Sequence, residues 1–205
     1  MATGSAEKHW ERVYAERSAT ELSWFEPSPA TSLKAIALTG LKAGARGVDV
    51  GGGASALVDR LVRDGFRMTV LDIAAGGLAV ARQRLGMVAE QVDWVVADVT
   101  QWRPTGQYDL WHDRAVFHFL AHEDDRHRYV ETLAASLRSG GWIIMATFAP
   151  DGPERCSGLP VQRWSSVGLQ AELGDRFALR ADWTETHTTP SGAAQKFTWA
   201  VFQRA

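Results

Sequence analysis

Cysteine occurs once in this chain, at Cys156. A lone thiol excludes an internal disulfide and a zinc site of the CxxC type. Basic residues never gather into a run: 22 Lys and Arg stand against 24 Asp and Glu, for a net charge of −2. The chain therefore lacks the electrostatic footprint of a nucleic-acid binder. No apolar run reaches the about 18 residues that span a membrane, and Met1 to Glu7 is small and polar, unlike a secretory leader. Internal repeats and low-complexity linkers are missing as well. These absences direct expectation to a cytoplasmic protein with neither nucleic acid nor membrane as partner, acting as a monomer or homodimer. At 205 residues the chain is expected to form one domain, with N-terminal helices and a lid over 1–45 and a sheet core over 46–205.

What the chain does have is 45% hydrophobic residues and nine tryptophans. Most of these rings are expected in the core, with some free to line an apolar pocket. Apolar runs alternate with helical patterns: RGVDV (46–50), RMTVLDI (67–73), VDWVVAD (92–98), YDLWH (108–112) and WIIMATF (142–148). Helical patterns cover 54–64, 75–85 and 123–138, and two more, 6–17 and 29–39, precede the first strand. RSGG (138–141) reads as a glycine stop to the helix before it. Strands that are continuous Val, Ile and Leu runs between helices form a parallel sheet covered on both faces. The chain ends on two long β-patterned runs, 176–187 and 196–204. The eight residues between them are too few for a crossover helix, so this pair is expected to be antiparallel. The fold class that follows is α/β, Rossmann-like: a seven-stranded, mainly parallel sheet with an antiparallel last strand and helices on both faces.

VDVGGGASALVDRLV (48–62) carries the functional signal. A strand runs into three glycines and then into a helix, which is how a backbone presses close against a ligand. Gly51, Gly53 and Ala56 satisfy G-x-G-x-x-A, and Asp72 ends the next strand about 20 residues on, as in a dinucleotide fingerprint. Asp49 at the strand tip argues against a pyrophosphate, because like charges at close range repel. It suits a ligand that is positively charged there. A second acid, Asp98, ends the third strand.

Together with the terminal hairpin, these residues resemble the class I S-adenosylmethionine-dependent methyltransferases, a resemblance that spans nearly the whole chain. It implies S-adenosyl-L-methionine as cofactor. It also implies that Asp49, Gly51 and Gly53 cradle its methionine part, Asp72 with Ile73 its ribose, and Asp98 with Val99 its adenine. The segments 9–29, 108–120 and 148–161 are further similar to small bacterial methyltransferases. The opening segment is similar to thiopurine-type enzymes, and the overall plan to stand-alone protein-lysine methyltransferases. Neither Asn-Pro-Pro-Tyr nor DxxY follows strand four, which departs from the enzymes that methylate amino groups on bases. The resemblance implies methyl transfer to an N, O or S nucleophile of a small molecule. The alternatives are a protein-lysine substrate, an NAD-dependent oxidoreductase, or a non-catalytic S-adenosylmethionine-binding protein.

In an open α/β sheet the site lies beyond the carboxyl ends of the strands, so the strand-four tip WHDRAVFH (111–118) should flank the methyl group. His118 or His112 is the candidate base, since an unperturbed pKa near ~6.5 suits proton removal at neutral pH. Asp113 is a candidate helix cap or catalytic acid, and Arg114 a candidate carboxylate anchor. If a helix starts here, Arg114 and His118 share one face. Trp24, in the loop SWFEP (23–27), is expected to close over the cofactor, and Tyr14 to reach its carboxylate. The proline-rich loop 149–160 is of a length that, inside a compact domain, is usually functional. No metal is expected.

Overall fold

The computed structural model describes residues 3–205. The continuous apolar runs become β1 (Arg46–Val50), β2 (Arg67–Asp72), β3 (Asp93–Val96), β4 (Tyr108–Arg114) and β5 (Leu137–Phe148), all parallel. A short ribbon, β6 (Arg155–Cys156) with β7 (Leu159–Pro160), follows β5. The two β-patterned runs at the end form β8 (Phe177–Thr188) and β9 (Ala194–Arg204), paired antiparallel. β9 inserts between β5 and β8, giving the order β3-β2-β1-β4-β5-β9-β8 with β9 alone reversed. This is the expected Rossmann-like α/β sheet.

The helical patterns form α1 (Thr3–Glu16), α2 (Ala30–Leu38), α3 (Leu57–Arg63), α4 (Ala75–Leu85) and α5 (Glu123–Ser136), and a further helix outside those patterns, α6 (Ser166–Leu173), follows the ribbon. One apolar core gathers Ile36 of α2 and Leu57 and Leu61 of α3 against Val70, Leu110 and Ile144. The other gathers Tyr129 and Leu133 of α5 and Leu169 of α6 against Val48, Trp111 and Ile143. Leu110 and Trp111 are adjacent yet belong to opposite cores, because successive strand side chains alternate across a sheet. Among the described residues no helix is long and apolar enough to cross a membrane.

Three boundaries depart from the sequence reading. RSGG does not end a helix: α5 stops at Ser136 and β5 begins at once with Leu137. Leu137 is fully buried and pairs with Tyr108, and the ladder resumes at Leu110 with Trp142. Residues 138–141 therefore form a bulge within the strand, exposed at Arg138, Ser139 and Gly140 and buried at Gly141. β4 runs two residues beyond His112, so Arg114 lies on a strand and shares no helix face with His118. After it, Ala115 turns through φ 74° and only a short 3₁₀ turn, Phe117–Phe119, follows. The helix after the glycine loop starts at Leu57 rather than 54.

Candidate active site

The glycine loop leaves β1 with Gly51 at φ 65° and Gly53 at φ 42°, a left-handed region that side chains rarely enter. Both positions are also closed to a side chain sterically. A Cβ on Gly51 would lie 2.0 Å from Val116 Cγ2, and one on Gly53 2.2 Å from the Tyr14 hydroxyl. The loop amides of Gly51 and Gly52 return to the Leu71 carbonyl, which pins the turn to β2.

Tyr14 reaches the loop because α1 crosses the start of α4. α4 has no side-chain cap of its own at Ala74. Glu11 of α1 supplies one from a distance, accepting from Ala75 N at 2.6 Å and Gly76 N at 3.1 Å. A carboxylate there also meets the positive end of the helix dipole. The glycines at 76 and 77 leave room for the Tyr14 ring, which a Cβ on Gly77 would meet at 2.7 Å. Burial and the Asp72 carboxylate hold the Tyr14 hydroxyl well above its ordinary pKa.

Beneath this roof a cavity of about 480 Å³ opens at the carboxyl ends of the strands, within the size range of small-ligand pockets. Gly51, Asp72, Ile73, Asp98, Val99, Tyr14, Trp24 and Arg114 all border it. Asp72 sits at the end of β2 and accepts from Ala74 N at 2.8 Å. Burial, reinforced by Asp49 and Glu11, raises its pKa to about 7. Asp98 follows β3 and spends Oδ1 on its own turn, accepting from Thr100 N at 2.9 Å and Thr100 Oγ1 at 2.8 Å. Opposite lies an aromatic wall in which Trp10 meets Trp24 and Phe119 edge-to-face at 5.5 and 5.1 Å.

Of the strand-four tip, Arg114, Ala115 and Val116 border this cavity, whereas His112, Asp113 and His118 do not. Because β4 continues as a strand, His112 and Asp113 point to opposite faces of the sheet. His112 is 2% exposed and lies 2.7 Å from Asp49 Oδ1. Asp113 is fully buried against α5, accepting from Tyr129 Oη at 2.5 Å and from Val116 N at 2.9 Å. Burial raises its pKa to about 6. It holds the Ala115–Val116 turn that faces Gly51. His118 is fully buried between Phe119 and Phe148, and burial beside Arg114 lowers its pKa to about 3. None of the three borders the cavity. Alternation along β4 thus separates His112 from Asp113, and the short turn after the strand carries His118 into the core.

Arg114 does border it, in a role other than an open carboxylate anchor. Its Nη1 donates to the Trp24 carbonyl at 3.0 Å and its Nη2 to Glu26 Oε1 at 2.9 Å. His187 Nε2 lies 2.8 Å from the Ser23 carbonyl. The strap 23–26 is thus fastened from β4 and β8. Cys156 and Leu159 of the ribbon complete the rim, and burial pushes the Cys156 thiol up to about 11.

Sequence reasoning missed Glu11, Thr100, Phe119, Leu120, Asp125 and Arg128, of which all but Glu11 border the cavity. The signal available for Thr100 was its place two residues after a strand-ending acid. No comparable signal marks Glu11.

Residues 48–141 match the family model described as a methyltransferase domain. No curated protein matches the chain. Solved structures do. An S-adenosylmethionine-dependent methyltransferase from Anabaena variabilis superposes with a TM-score of 0.78 at 13% identity, over 100% of this chain and 96% of that one. The 1,6-didemethyltoxoflavin-N1-methyltransferase of Burkholderia thailandensis, solved with bound 1,6-didemethyltoxoflavin and S-adenosylhomocysteine, gives 0.69 at 20% identity over 98% and 85%. The N-methyltransferase NodS of Bradyrhizobium japonicum, bound to S-adenosylhomocysteine, gives 0.69 at 15% over 95% and 97%.

Proposed function

We propose that this chain is a class I S-adenosylmethionine-dependent methyltransferase that hands the cofactor's methyl group to an N, O or S nucleophile of a small molecule. The observation that supports the substrate class is the cover of the cavity that the cofactor would share with the acceptor. It is roofed by α1, the strap and the ribbon, with an aromatic wall at Trp10, Trp24 and Phe119. Such a site favours a compact, partly apolar acceptor.

The residues present fit the cofactor. The loop at Gly51 and Gly53 has no room for side chains, as a backbone pressed on a ligand requires. Asp72 would accept from the ribose hydroxyls and Asp98 from the adenine amine. Tyr14 and the loop would hold the methionine part, with Ile73 and Val99 against the nucleoside. When bound, S-adenosylmethionine supplies an electrophilic methyl on a sulfonium whose departure leaves neutral sulfur. What remains for the chain is alignment, exclusion of water and charge placement. Trp24 and Arg114 close the strap over the site, while Asp49 supplies negative charge behind the loop.

His112 and His118 do not border the cavity, so in this reading the acceptor attacks with its own lone pair and neither histidine takes its proton. The test is a small-molecule acceptor screen read by S-adenosylhomocysteine release, with lysine-bearing peptides alongside. Turnover confined to the peptides overturns the small-molecule reading. Thermal stabilisation by NAD but not by S-adenosylhomocysteine overturns the cofactor assignment.

A further inference from the structure

Asp49, His112 and Ser32 form a buried chain behind the glycine loop. Asp49 and His112 are register partners on β1 and β4, so both side chains leave the same face of the sheet, toward α2. His112 Nδ1 lies 2.7 Å from Asp49 Oδ1, and its Nε2 lies 3.0 Å from Ser32 Oγ of α2. The three residues are 2%, 2% and 1% exposed. The other carboxylate oxygen, Asp49 Oδ2, is buried with no hydrogen-bond partner. It lies directly under the loop, where a Cβ on Gly52 would approach it to 2.8 Å.

An ionised carboxylate in such a place is costly unless a donor holds it. Among the bonds made by the described residues, His112 supplies that donor. A carboxylate oxygen only accepts, so Nδ1 must carry a proton. The charge is felt across the loop, since Asp49 helps to raise the pKa of Asp72 on the cavity wall. The chain then continues outward. Ser32 belongs to the helix that directly follows the strap bearing Trp24 and Glu26, so the carboxylate behind the cofactor loop and the cover of the cavity share one support.

We propose that His112 is a positioning residue for the cofactor: it donates Nδ1–H to Asp49, keeps that carboxylate ionised beneath the glycine loop, and ties it through Ser32 to α2. The inference rests on the reading that the Asp49 charge favours the sulfonium cofactor. It gives His112 no contact with the acceptor and no part in proton transfer.

The test measures S-adenosylmethionine affinity by titration calorimetry in three variants of the full chain. Asp49→Asn checks the underlying reading, and unchanged affinity there overturns that reading and the inference together. Given a loss in Asp49→Asn, His112→Leu is expected to weaken binding roughly tenfold to a hundredfold, the effect of losing a hydrogen bond to a buried charge. His112→Asn puts an amide N–H where Nδ1–H stood and is expected to recover affinity to within about threefold. A merely structural histidine would lower the melting temperature of both variants and leave the affinity of the folded protein unmoved. That pattern overturns the inference alone. If His112→Leu does not fold, nitrogen-15 NMR of the wild-type imidazoles decides. A protonated Nδ1 that shifts on adding S-adenosylhomocysteine, and loses its downfield position in Asp49→Asn, supports the chain. An unprotonated Nδ1, or one indifferent to the ligand, overturns it.

Discussion

Arg114 Nη2 and Glu26 Oε1 lie 2.9 Å apart, joining the end of β4 to a strap 88 residues earlier in the chain. The side chains are 12% and 21% exposed, so the pair is shielded from solvent in a way that surface pairs are not. The same guanidinium lies 5.3 Å from the Phe197 ring centroid and also holds the Trp24 carbonyl. One side chain therefore fixes the strap's backbone and its charge. Removing one partner of such a pair strands the other charge, at a cost of roughly 3–5 kcal/mol. Glu26→Gln keeps an acceptor for Nη2, whereas Arg114→Met leaves Glu26 facing His187 Nδ1 at 3.8 Å.

The first prediction follows from that difference. Arg114→Met should speed amide hydrogen exchange across 22–27 and raise the cofactor dissociation rate about tenfold or more, while Glu26→Gln should do less of both. Equal exchange in the strap of wild type and Arg114→Met would show that the guanidinium is not its fastening.

A second prediction concerns Gly53 and Tyr14. Gly53→Ala meets two costs: a left-handed φ, worth about 1–2 kcal/mol for a residue with Cβ, and a clash with the Tyr14 hydroxyl at 2.2 Å. The variant should bind S-adenosylhomocysteine at least about tenfold more weakly. Tyr14→Phe removes the clashing oxygen, so the double variant should bind better than Gly53→Ala alone. Strict additivity of the two changes in calorimetry would mean that the hydroxyl and the loop do not meet.

The third prediction is a pH dependence carried by Asp72. Its folded pKa is raised to about 7 from an ordinary value near 3.8. A raised acid contributes stability in full below the lower value and loses it as pH climbs to the upper one. Asp72→Asn should therefore stabilise the ligand-free protein at pH 7.5 and change it little near pH 4. Ribose hydroxyls donate to the ionised form, so wild-type affinity for S-adenosylhomocysteine should rise as pH increases through about 7. The asparagine variant should bind at least about tenfold more weakly above that pH, since hydrogen bonds to a charge contribute about 1.5–3 kcal/mol. Calorimetric affinities that stay flat from pH 6 to 8 in both proteins would remove Asp72 from the ribose.

The contrast between Asp72 and His112 shows what was legible in the sequence and what was not. Asp72 and Asp98 end apolar runs, and a strand's end in a parallel sheet is fixed by its pattern, so their place at the cavity could be read directly. The parallel sheet followed from the same runs, and its antiparallel last strand from an eight-residue connection too short for a crossover; the order of the strands, with β9 between β5 and β8, did not. β4 was different, because HDR continues the strand without an apolar residue to mark it. Two further strand residues send His112 and Asp113 into opposite cores, where a helix beginning there would have kept them at the tip. Glu11 capping α4 and Arg114 holding Glu26 join residues 64 and 88 positions apart. No local spacing encodes such pairs, and only the packed sheet brings them together.

The last prediction separates burial from catalysis at His118. The ring is fully buried beside Phe119 and Phe148, its Nδ1 faces Phe148 N at 3.4 Å, and its pKa falls to about 3. A histidine depressed in the folded state contributes stability above the unfolded value, near ~6.5, and loses it as pH falls toward the folded one. His118→Leu removes that term. Asp72 and Asp113, raised to about 7 and about 6, act in the opposite sense, gaining stability as pH falls, but they are common to both proteins and cancel in the comparison. The melting temperature of wild type should therefore fall more steeply than that of His118→Leu between pH 6.5 and 4. Methyl transfer, measured in single turnovers once an acceptor is in hand, should keep the same pH profile in both. Equal melting slopes would show that the imidazole is not held neutral by burial. Loss of an activity limb near ~6.5 in the variant would restore His118 as a base, because only a group that titrates in the reacting complex can shape that limb.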